Sequence, residues 1–154
     1  MASTSLRRAA LAGAALASVF LLAACAPGTS PAESYAGEPE VEHVVAEDEE
    51  GAAEEESHAV EGETSAVWLQ QGGQLAITTW GSSTCPVVGT DIRVVEPRGE
   101  GNTVEIVTKE YAEDQVCTMD FVPYTTVFWT PLDVTTTEPL TVRIQGEEIE
   151  VPIK

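Results

Sequence analysis

The chain has 154 residues, room for one domain and an extension. Seven Lys and Arg stand against 26 Asp and Glu, a net charge of −19, which excludes a nucleic-acid binder built on phosphate neutralisation and a polybasic lipid-docking patch. Three cysteines are too few for a disulfide scaffold that does without a core.

The chain opens with a short basic segment ending in Arg7-Arg8, then sixteen apolar or small residues from Ala9 to Ala24. As a helix these would span roughly 24 Å, short of the ~30 Å hydrocarbon core of a bilayer. A basic start, a short apolar run and small residues at its end describe an export signal over residues 1–24. The bulky apolar residues that twin-arginine export needs after the Arg pair are absent.

Leu22-Ala23-Ala24-Cys25 resembles the lipobox of bacterial lipoproteins. The resemblance implies cleavage before Cys25 and diacylglycerol on its thiol, which places the protein on the extracytoplasmic face of the cell membrane. Two or three acyl chains make a stable anchor where one would be marginal. The alternatives are an ordinary signal peptide with an incidental cysteine, or an uncleaved anchor.

From Ala26 to Ala66 there are 13 acids, no Lys or Arg, two His and one aromatic, Tyr35. A segment so poor in hydrophobes and rich in like charge cannot offset its ordering entropy. Residues 25–66 are therefore expected to be a lipidated cysteine followed by a disordered acidic tether. Its forty-one residues after Cys25 would reach about 140 Å fully extended and average roughly 35 Å as a coil. Weak cation capture by its carboxylates with His43 and His58 is the other reading, but no calcium-loop spacing occurs.

Residues 67–154 hold all three Trp and alternate apolar with polar residues in short runs. The expected strands are 67–70, 74–80, 91–95, 103–109, 115–122, 124–130, 141–145 and 148–153. Gly72-Gly73, the Glu96–Asn102 cluster, Pro123 and Gly146-Glu147 separate them, the last as a II′ hairpin turn. Leu75, Ile77, Ile92, Val94, Val104 and Ile106 are the expected inward faces, with Cys117, Met119 and Phe121 sharing one face of their strand. The reading is an all-β domain: a small antiparallel β-sandwich, immunoglobulin-like in the loose sense, with a small β-barrel as the alternative.

Trp80-Gly-Ser-Ser-Thr-Cys85-Pro86, answered by Cys117-Thr-Met-Asp120, resembles a pattern in small uncharacterised lipoproteins of actinobacteria, over about Val67 to Val142. The resemblance implies a class and no mechanism. With Cys25 lipidated and the protein exported, Cys85 and Cys117 are left to pair in an oxidising compartment. Two free thiols or an intermolecular bond are the alternatives.

Residues 67–154 contain no His, so neither Ser82 nor Ser83 has the usual base, and Gly81-Ser82-Ser83 is no nucleophile elbow. Cysteine catalysis fails likewise, and no zinc ligand set remains once both cysteines pair. No metal and no cofactor are expected. Among the aromatics, Val127 and Trp129 share a face opposite Phe128, so one ring points away from the core. Trp80 and Trp129 are the candidate binding surface. The expected function is a membrane-anchored, non-enzymatic binding or envelope-structural module, with an envelope protein or glycan as partner and no nucleic acid. The competing expectation is a small hydrolase using carboxylates alone, from Asp91, Asp114, Asp120 and Asp133.

Overall fold

A computed structural model of the protein describes residues 28–40 and 61–154. The export segment, Cys25, His43 and His58 lie outside the described residues, and so do the expectations attached to them.

Among the described residues, eight strands form two four-stranded sheets: β1 (Glu33–Ala36), β2 (Ser65–Leu69), β3 (Gln74–Gly81), β4 (Gly89–Glu96), β5 (Thr103–Thr108), β6 (Val122–Trp129), β7 (Leu140–Ile144) and β8 (Glu147–Val151). One sheet has the order β1-β6-β3-β2, the other β4-β5-β7-β8. The molecule is thus a β-sandwich, and the two sheets do not close into a barrel. All pairings are antiparallel except β5 with β7, which run parallel from Thr103 opposite Thr141 to Ile106 opposite Ile144. Parallel neighbours need a crossover, and here β6 supplies it by crossing to the other sheet and back.

Alternation places the core. Ala66 and Trp68 of β2, Leu75 and Ile77 of β3 and Phe128 of β6 face Ile92, Val104, Ile106, Leu140, Val142, Ile144 and Val151 of the second sheet. Burying a side chain of this size is worth about 1.5–3 kcal/mol. Gly89 marks a close approach: a Cβ there would sit 2.8 Å from the Phe128 ring and 3.0 Å from Ile106.

Both lateral sides of the sandwich are stitched. On one, the Trp68 indole Nε1 donates to the carbonyl of Pro152 at 2.9 Å. On the other, the Ile92 amide at the β4 edge donates to the carbonyl of Thr29 at 2.9 Å, and Ala32 N donates to Val127 O at 2.8 Å. β1 then pairs with β6, Tyr35 opposite Thr125. The expected boundary at residue 67 therefore does not hold. Residues 28–40 and 61–66 belong to the domain, not to a spacer, because β1 is fixed mainly by backbone pairing, which needs no hydrophobic run.

Three further expectations are corrected. Residues 115–121 are not a strand, and β6 begins at Val122 and runs through Pro123. Pro123 is tolerated because its carbonyl, and hence its missing N–H, faces the end of β1, where Gly37 N donates to Pro123 O at 2.9 Å. The last hairpin turns at Gln145-Gly146, with φ 50° and 86°. That is the type I′ pattern, one residue earlier than the expected II′ turn.

Candidate functional site

Two loops meet beyond the ends of β3 and β6. The first, Ser82–Val88, leaves β3; the second, Lys109–Phe121, leads from β5 into β6. Cys85 and Cys117 join them, with Cα atoms 5.6 Å apart. The bridge thus links loop to loop rather than loop to strand.

A cluster of hydroxyls surrounds the bridge. Ser82 Oγ lies 2.8 Å from Thr118 Oγ1, and the hydroxyls of Ser83 and Thr84 lie 3.2 Å from it. Thr118 N donates to Thr84 Oγ1 at 2.9 Å. Asp120 closes the cluster, accepting from Ser83 N at 3.1 Å and from the Thr118 hydroxyl. These donors, the Ser83 side chain first, then Thr118 and the Ser83 amide, hold its carboxyl down at about 2. A carboxylate so stabilised is a poor proton acceptor near neutral pH, so it gives Ser82 and Ser83 no base. The arrangement fixes the shape of a loop.

Behind the cluster, Trp80 stacks on Phe121, ring centroids 5.6 Å apart and planes 28° from parallel. The Trp80 indole N–H is buried without a partner. Tyr111 Oη ties the second loop to the first by donating to Pro86 O at 2.8 Å. Ordered in this way, the second loop holds its apolar residues in water: Val116 is 91% exposed, Phe121 62%, and Met119 fully exposed. The sequence reading put Met119 and Phe121 with Cys117 on one face of a strand. Their Cys-x-Met-x-Phe alternation mimics a strand, but this backbone has no partner strand.

Trp80 and Trp129 do not form one surface. Both project from the outer face of the first sheet, but Trp80 lies opposite Pro123 and Trp129 opposite Gln74. Six residues of strand separate those rows, roughly 20 Å. Trp129 is 45% exposed, whereas Phe128 beside it is fully buried, so it is Trp129 that points away from the core.

The four aspartates are not gathered. Asp120 is in the hydroxyl cluster. Asp91 bonds to the Thr29 hydroxyl and pairs with Arg93 at 3.0 Å, which holds its carboxyl below the usual range. Asp114 and Asp133 are exposed on separate loops. None of them lines the cavity of about 930 Å³ between β1 and the β2–β3 turn. That cavity sets Glu33, Glu38 and Glu40 against Gln70, Gln71, Gln74 and Lys154. Beside Glu33 and Glu40, the Tyr35 phenol is shifted up, by burial first and then by those two carboxylates. Among the described residues no group of three or more His, Cys, Asp or Glu could hold a metal ion, and no helix is long and apolar enough to cross a membrane. Comparison with known proteins finds no matching family model, no similar curated protein and no similar solved structure.

Proposed function

We propose that this chain is an exported lipoprotein, anchored through Cys25, whose β-domain is a non-enzymatic binding module that contacts its partner through the loop Asp114–Phe121. The observation that carries the reading is the exposure of Val116, Met119 and Phe121 on a loop fixed by a disulfide and a hydroxyl cluster. Exposed apolar patches mark interaction sites. A loop already ordered in its binding shape loses little entropy on docking. Met119 adds an adaptable side chain of the kind favoured at recognition surfaces.

The Cys85–Cys117 bridge supports export, because disulfides persist in oxidising compartments. The LAAC sequence supports the anchor. The carboxylate hydrolase has no comparable support, since its four aspartates stand apart and one of them, Asp120, is committed to the clasp that the Cys85–Cys117 bridge and the hydroxyl cluster form between the two loops.

The test is the pair of substitutions Val116→Ser and Met119→Ser, neither of which touches the clasp. The double variant keeps the wild-type melting temperature within a degree or two. A partner crosslinked to the wild-type protein on native membranes is lost with the variant. Undiminished crosslinking to the same partner would overturn the loop as the contact surface.

A further inference from the structure

We infer that the domain lies directly against the bilayer on a leash of four residues, with its β1/β4 side toward the lipid, and that the acidic segment is a loop between two strands rather than a stalk. The inference rests on the reading of Cys25 as the lipidated residue.

The argument is one of chain length and pairing. Thr29 is already bound to the domain: its carbonyl accepts from Ile92 N at 2.9 Å, and its hydroxyl bonds to Asp91. Ala32 and Glu33–Ala36 continue the attachment along β6. Cys25 and Thr29 are four residues apart, so at ~3.6 Å per residue their Cα atoms can separate by at most about 14 Å. A free tether over residues 26–66 would reach ten times as far. The lipid on Cys25 therefore draws the edges of β1 and β4 to the headgroups.

The acidic residues 41–60 run from the end of β1 toward β2. Eight of the chain's acids and none of its Lys or Arg fall there. Both flanks of this loop leave from the first sheet, Glu40 beside the cavity under Tyr35 and Gly62 beside Phe121. It follows β1 in the chain, so its length does not enter the distance between Cys25 and Thr29. Its like charges also resist approach to an anionic surface. A domain of about 100 residues is roughly 35 Å across, so the exposed loop Asp114–Phe121 can engage only a partner within about that distance of the bilayer: a membrane protein or a component lying on the membrane.

A specific protease site inserted between Glu49 and Glu50 of the full-length lipidated protein tests this on isolated membranes. After cleavage, the fragment carrying residues 61–154 is held to the lipidated piece only by the four-residue pairing of β1 with β6, so the cut is read with that pairing made covalent. The double substitution Ala36→Cys and Tyr124→Cys, at cross-strand partners, reads the strand placement covalently. The new bridge is expected to form and to keep the two cleaved pieces joined on non-reducing gels. Failure to form it in a folded protein would contradict the pairing. Cys25→Ser in the uncut protein reads the anchor separately and is expected to be unlipidated and at least partly released, with intact mass as the readout. If the mature wild-type protein carried no diacylglycerol on Cys25, the lipid reading would fall, and the leash with it.

Discussion

Thr29 and Ile92 are joined by a single backbone hydrogen bond of 2.9 Å, from the amide at the outer edge of β4 to a carbonyl four residues before β1. That bond connects the two sheets on one side of the sandwich, as Trp68 and Pro152 do on the other. Removing residues 28–40 takes away this link and the whole of β1. With roughly 1 kcal/mol for each exchanged hydrogen bond, the loss is expected to be about 2–4 kcal/mol. Urea denaturation of fragments beginning at residue 28 and at residue 61 measures it. Equal midpoints would mean that the segment adds nothing.

Much of the fold was legible in the sequence and some was not, for physical reasons. β4–β5 and β7–β8 announce themselves because Ile92, Val94, Val104, Ile106, Val142 and Ile144 alternate on strands buried on one face and flanked by turn residues. β1 carries no such signal. Glu33-Ser-Tyr-Ala36 is an edge strand in an acidic context, and what places it is backbone pairing with β6. In the site, the Cys85–Cys117 pair followed from cysteine count and compartment. The hydroxyl cluster did not, because Ser82, Ser83, Thr84, Thr118 and Asp120 converge only once two irregular loops are oriented against each other.

Gly89→Ala probes a close approach of the two sheets. The added methyl would meet Phe128 and Ile106 at 3.0 Å or less, and overfilling a core costs about 1–3 kcal/mol. Phe128→Leu, which shortens the opposing side chain, is expected to recover part of the loss in the double variant. Additive losses in a thermal-denaturation cycle would show that the ring is not what the methyl meets.

Replacing both Cys85 and Cys117 by Ala opens a loop with a sequence separation of 32. In the chain-entropy model that constraint is worth about 3–4 kcal/mol. Because both ends lie in loops outside the strands, the variant is expected to keep its β-sheet circular-dichroism spectrum while its denaturation midpoint falls. Loss of the sheet signal at 25 °C would show that the bridge is needed to form the sandwich.

Asp120 makes the clasp acid-sensitive at an unusually low pH. Its folded-state value of about 2 lies below the ordinary carboxylate value of about 3.9. The stabilisation is therefore complete above about pH 4 and is lost as pH falls toward 2. The Ser83 amide, which donates to this carboxylate, reports the titration by NMR. A midpoint near 2 is expected, with a flat profile in Asp120→Asn. A midpoint at or above 3.9 would show that Asp120 is not held by these donors.

Hydrogen exchange at the Ile92 amide tests the account most directly. That N–H faces away from β5, and its acceptor is the carbonyl of Thr29, so among the described residues it is the N-terminal segment that protects it. In a protein comprising residues 28–154, Ile92 N–H is expected to exchange at least a hundredfold more slowly than the same amide in a protein beginning at residue 61. Equal, unprotected exchange in the two would contradict both the attachment of residues 28–40 and the short leash that follows from it.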